Sequence, residues 1–189
     1  MWREILGPQA RIIGIDINPN AKTLEQEGFE IFIGDQADQG FWDDFFKEVG
    51  PVDVVVDDGG HRFEQQIVTT LACLPHINDG GVLIVEDTHS NYLPEFGGPS
   101  DHSFMAFAKD MIDGINFRFS EIVAHREAEQ VVHSMSFHES IVAFQVDRQR
   151  CALKSEIAPN GGEPQPDSYF DSTDGAHTGA AHVLARAFP

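Results

Sequence analysis

The sequence predicts a doubly wound α/β domain with a mostly parallel sheet that closes on an antiparallel hairpin. Three observations predict it. Short apolar, β-branched runs recur along the chain, helix-period segments stand between them, and two alternating runs come last. With 189 residues at 41% hydrophobic content, the chain can bury the core of one such domain.

The elements follow in order. "ARIIGIDI" and "FEIFIG" read as strands, and "NPNAKTLEQEG" between them as a helix that stops at Gly28. "DQGFWDDFFKEV" sets Phe41, Trp42, Phe45 and Phe46 at helical spacing before Gly50 and Pro51 end it. "VDVVVDD" is a nearly continuous apolar strand, the kind covered on both faces in a parallel sheet. "RFEQQIVTTLACLPHI" is a helix with Ile67, Leu71 and Leu74 on one face, "NDGG" a turn, and "VLIVEDT" another buried strand. A Gly- and Pro-containing loop, "SNYLPEFGGPS", leads to the helix "DHSFMAFAKDMIDGI". "VVHSMSF" and "SIVAFQV", parted at His138 and Glu139, form the hairpin. Composition divides the chain into an α/β domain over residues 1–147 and a polar tail over 148–189 that is loosely ordered or docked on a neighbour, with a short helix in "AAHVLARAFP".

Charge narrows the function classes. Thirty-one acidic side chains against 12 basic ones give a net charge of −19, which repels phosphate backbones and anionic lipid. The reading is no nucleic acid and no membrane. No apolar run approaches the roughly 20 residues of a membrane span, and "MWREILGPQA" lacks the regions of a signal peptide. Cys73 and Cys151 stand apart, without metal or disulfide spacing, as expected in a reducing cytoplasm.

Ligands of open parallel sheets bind beyond the carboxyl ends of the strands, and polar residues collect there. Asp16 follows the first strand, where an acid accepts hydrogen bonds from ribose hydroxyls or caps the next helix. Asp35 and Gln36 follow the second, positioned for an adenine edge or for capping. Asp57, Asp58 and His61 follow the third, and Glu86, Asp87 and His89 the fourth. So many like charges at one edge are costly to bury without a cation. Hard oxygen donors of this kind suit Mg²⁺, Mn²⁺ or Ca²⁺, and His61, a turn beyond Asp58, is free to act as a base near neutrality. His76, His125, His133, His138, His177 and His182 have no such setting and read as surface or packing residues, and Asp110 and Asp113 as a solvated helix face.

"GIDINP", "VVVDDGGH", "LPHINDGGVLIVEDTHSNYLPEFGG" and "FAKDMIDGINF", in this order, resemble the class I S-adenosylmethionine-dependent methyltransferases. They are most similar to the metal-dependent branch that O-methylates deoxysugars on macrolides and related natural products, of the mycinamicin and demethylmacrocin type, with cephalosporin hydroxylase-like proteins as relatives. The resemblance covers about residues 1–146. It implies a Rossmann-like fold, S-adenosylmethionine and Mg²⁺ as cofactors, and a small sugar or natural-product acceptor. It further implies Asp58, Glu86 and Asp87 as metal ligands, His61 as general base, and Asp16, Asp35, Gln36 and Asp57 on the cofactor side. Tyr92 and Phe96 would lie in a substrate loop spanning Thr88 to Pro99, where "SNY" departs from the threonine- or serine-rich form of the family.

A fold of this family begins with a strand and a glycine-rich turn, whereas the first strand here already bears "GIDINP". The first strand and its glycine loop are therefore expected to be missing, leaving unpaired neighbours and an apolar slot that favour a homo-oligomer. The main expectation is a Mg²⁺-dependent O-methyltransferase. The alternatives are a catalytically inactive or truncated subunit that serves binding or assembly, and a metal-dependent hydrolase.

Overall fold

A computed structural model describes residues 2–119, 124, 126–155 and 161. Met1–Ser155 form one compact unit and Glu156–Pro189 a second. The expected terminal helix, and His125, His177 and His182, lie outside the described residues.

After a short helix α1 (Trp2–Leu6), β1 (Ile13–Asp16) and β2 (Glu30–Ile33) pair in parallel as a two-stranded sheet. Their connection, expected as an α-helix, is a 3-10 helix over Pro19–Glu27. Asn18 caps it, and Gly28 ends it in the left-handed conformation. No residue of that segment is buried, so no apolar stripe favours the wider α-helical turn. Helix α2 (Gln39–Val49) starts at Asp38, whose side chain accepts from Gly40 N, and buries Trp42, Phe45, Phe46 and Val49.

The second sheet holds β3 (Val52–Asp57), β4 (Ile77–Val85), β5 (Val132–His138) and β6 (Ile141–Val146) in the order β3-β4-β6-β5. β3 and β4 are parallel, whereas β4–β6 and β6–β5 are antiparallel, so the C-terminal hairpin forms as expected. "NDGG" is not a turn before β4 but part of it. The strand begins at Ile77, and a register shift between Val52 and Val54 of β3 absorbs the irregular stretch. Helix α3 (Phe63–Cys73) connects β3 to β4, and α4 (Phe104–Gly114) precedes the hairpin.

Two apolar clusters hold the unit together. Leu74, Leu83, Val85, Phe104, Met111, Val142 and Phe144 fill one, beside the four-stranded sheet. Trp42, Phe45, Phe46, Val49, Ala72 and Cys73 fill the other, which also touches Ile13 and Ile15 of β1 and Val52 and Val55 of β3. Edge-to-face contacts of Trp42 and Phe32 with Phe45, at centroid distances of 5.6 and 5.0 Å, add about 0.5–1.5 kcal/mol each beyond area burial. His76 stacks on Phe46 at 4.1 Å, a packing histidine as expected.

Although they share this core, β1 and β3 are not hydrogen-bonded to each other. A cavity of about 600 Å³ is lined by Ile13 and Ile15 on one side and Val54, Val56 and Asp57 on the other. β3 is thus an open edge, not the doubly covered strand its composition suggested, and Val54 remains 53% exposed. An apolar slot with unpaired neighbours was expected, and the β1–β3 gap is one.

Arg148–Ser155, assigned to the tail from composition, belong to the first unit. Helix α5 (Arg148–Cys151) buries Cys151. The Arg148 guanidinium donates to the carbonyls of Ile77 and Pro75 at 2.7 and 2.6 Å and to Asp79 at 3.0 Å. One arginine anchor outweighs the polar composition.

Candidate metal and cofactor site

The site lies at the carboxyl edge of β3 and β4, whose parallel register pairs Asp57 with Val85. Glu86 N extends the pairing by donating to Asp57 O at 2.9 Å. The strand-to-helix turn "DDGGH" and the segment after β4 are therefore held side by side. Ligand atoms of Asp58, His61 and Asp87 all lie within 4.8 Å of one another, and His61 Nε2 is 3.4 Å from Asp87 Oδ2. Two carboxylates and an imidazole suit a divalent cation that accepts oxygen and nitrogen donors, and the group is exposed enough for a substrate oxygen to join it.

Glu86, expected among the metal ligands, is not in this group. β4 ends at Val85 and the backbone turns left-handed at Asp87, at φ 52°, so that turn and not strand alternation aims the Asp87 carboxylate. Asp57 and Asp58 also divide. Asp58 is exposed and joins the cluster, while Asp57 is 7% exposed and faces inward. Burial pushes the Asp57 carboxyl above its ordinary range, against the lowering effect of hydrogen bonds from Gln36 and Gly59. Its Oδ2 is the one buried side-chain oxygen among the described residues without a partner, and the residue lines the β1–β3 cavity.

Gln36, expected near the adenine, has its amide engaged within the protein. Its Nε2 donates to Asp57 Oδ1 at 2.9 Å and to Thr69 Oγ1 at 3.1 Å, and its Oε1 accepts from Gly60 N at 2.6 Å. A side chain at Gly59 would collide with that same Oε1, which accounts for a glycine there. Gln36 is a bracket fixing the turn before His61. Asp35 accepts from Ala37 N at 2.9 Å, a turn bond ahead of α2, whose cap is Asp38. Asp16 Oδ1 accepts from Asn18 N at 2.7 Å, leaving Oδ2 open at the exposed end of β1.

The loop after Asp87 forms two 3-10 helices, Thr88–Tyr92 and Pro94–Phe96. Phe96 meets the His61 ring edge-on, with centroids 6.2 Å apart, whereas Tyr92 is exposed and lines a separate cavity of about 560 Å³ with Ser100, Asp101 and Lys109. Ser90 Oγ donates to His61 O at 3.1 Å, which ties the loop to the turn bearing the imidazole.

Reasoning from sequence missed Gln66, Asn91 and Ser140. Gln66 and Asn91 are buried and bonded to each other, while Ser140 touches Asp87 and His89. The interruption of an apolar helix by Gln66, Thr69 and Thr70 was the available signal for the first. Ser140 had none, because only the pairing of β4 with β6 brings it there.

No family model matches the chain. It is 30% identical, over 75% of its length, to the 8-demethyl-8-α-L-rhamnosyl tetracenomycin-C 2'-O-methyltransferase of Streptomyces olivaceus. It is 33% identical, over 61%, to the mycinamicin VI 2''-O-methyltransferase of Micromonospora griseorubida. The chain spans only 38% and 30% of those relatives' lengths. Among solved structures, the MycE methyltransferase of the mycinamycin biosynthetic pathway, in complex with Mg, SAH and mycinamycin VI, matches with a TM-score of 0.69 and 25% identity, over 78% of this chain and 39% of that one.

Proposed function

We propose that this chain, which belongs to the class I S-adenosylmethionine-dependent methyltransferases, carries the metal and base machinery of an O-methyltransferase acting on a hydroxyl of a sugar or related natural-product acceptor. The observation that carries the proposal is the convergence of Asp58, His61 and Asp87 at two adjacent strand ends. Asp58 and Asp87 would hold Mg²⁺, the ion present in the MycE complex. When bound, the ion lowers the pKa of a coordinated hydroxyl, and S-adenosylmethionine supplies the methyl group.

The remaining roles fall to this chain's own side chains. His61 is the base that takes the acceptor's proton, its ring steadied by Asp87 on one side and Phe96 on the other. Asp16, with one oxygen open, suits the ribose hydroxyls, and Gln36 and Asp35 shape the turns on the cofactor side. Phe96, beside His61, and Tyr92, which lines the neighbouring cavity, would pack on the acceptor. Much of the rate enhancement would come from positioning, which the Gln36 and Ser90 brackets serve.

The open β1–β3 edges support association of copies, and two free buried thiols fit a reducing cytoplasm. Among the described residues no helix is long and apolar enough to cross a membrane. Calorimetry with S-adenosylhomocysteine, together with methyl transfer to a macrolide bearing a free sugar hydroxyl, tests the proposal. Cofactor binding and chelator-sensitive transfer are expected, and a folded protein that shows neither favours a binding or assembly subunit.

A further inference from the structure

Two non-glycine residues among those described have left-handed backbone, Asp87 at φ 52° and Ser140 at φ 63°, and they lie against each other. Continuing the β4–β6 register beyond the Val85–Val142 pair puts Asp87 opposite Ser140 at the hairpin tip. Ser140 O accepts from Thr88 N at 3.1 Å. Ser140 Oγ lies 2.7 Å from His89 Nδ1 and 3.5 Å from Asp87 Oδ1, while the other Asp87 oxygen faces His61 Nε2 at 3.4 Å. The carboxylate is thus flanked on both sides, which sets its rotation about the side-chain bond.

Hairpin tips with positive φ favour glycine, asparagine or aspartate, which tolerate that conformation at lower cost. A serine there points to use of the hydroxyl. We propose that Ser140 is a positioning residue for Asp87, its hydroxyl orienting the carboxylate toward a bound divalent ion with His89 holding that hydroxyl in turn. The inference rests on the reading of Asp87 as a metal ligand. Partners of this kind fix the orientation of a ligand oxygen and raise metal affinity without touching the ion.

The test is Mn²⁺ binding to the full chain, followed by calorimetry and electron paramagnetic resonance without cofactor or acceptor. Ser140→Ala removes the hydroxyl alone, and Ser140→Gly removes it together with the backbone strain. Both are expected to weaken Mn²⁺ binding about tenfold, with circular dichroism unchanged, and Ser140→Asn, which restores a polar donor, to recover most of the loss. Wild-type affinity in both the Ala and Gly variants overturns the proposal, as does wild-type affinity in Ser140→Gly alone, which would assign the effect to strain. If Asp58→Asn abolishes binding while the Ser140 variants bind normally, the metal reading stands and only the role of Ser140 falls. A wild-type chain that takes up no Mn²⁺ overturns both.

Discussion

Gln66 and Asn91 are buried amide to amide, Asn91 Nδ2 donating to Gln66 Oε1 at 2.9 Å. Gln66 Nε2 donates onward to Glu86 O at 3.2 Å, and Asn91 Oδ1 accepts from Met105 N at 3.1 Å. Helix α3, the end of β4, the loop and the start of α4 thus meet in one closed polar chain. Asn91→Ala strands Gln66 Oε1 and Met105 N, at roughly 1–3 kcal/mol each. Urea unfolding should show a loss of about 2–6 kcal/mol, and Mn²⁺ affinity should fall with it because the clasp fixes the segment carrying Asp87. A loss below about 0.5 kcal/mol would show that water replaces the clasp.

The strands were legible because β-branched blocks such as "VDVVVDD" have few other uses, and the acids directly behind them marked the site edge. What sequence concealed was the partition of adjacent residues. Asp57 and Asp58, like Glu86 and Asp87, look equivalent on paper, yet one of each pair joins the cluster. The roles of Gln36 and Ser140 depend on contacts 21 to 53 residues away, set by strand register that no local pattern encodes.

Asp57 opposes folding once it ionises. Burial raises its folded pKa above the ordinary carboxylate value, so the stability it contributes is complete below that ordinary value and is lost as pH rises through the folded one. Asp57→Asn removes the charge and keeps an acceptor for Gln36 and Gly59. The variant should therefore have the higher urea midpoint at pH 7, with the advantage shrinking toward pH 4. A wild type that is the more stable at pH 7 would mean that the unpartnered Oδ2 is satisfied in solution.

His61 stands within the cluster and could act as ligand or base, roles that separate by experiment. As the base, His61→Ala lowers kcat by about 10²–10⁴-fold while Mn²⁺ affinity stays within about twofold of wild type. Coupled loss of rate and metal affinity would make His61 a ligand instead.

Val54 is the most informative probe of the open edge. It is 53% exposed on β3, lines the cavity facing Ile13 and Ile15 of β1, and has no strand beside it on that side among the described residues. Unpaired parallel edges with apolar side chains pair with other chains, and a charge placed there blocks the approach. Light scattering across a concentration series should show association of the wild type and a shift toward monomer for Val54→Lys, with Mn²⁺ binding retained because the cluster lies beyond the strand end. A wild type that stays monomeric at about 100 μM, well above the range of specific interfaces in the micromolar regime, would remove the open edge as a reason to expect an oligomer.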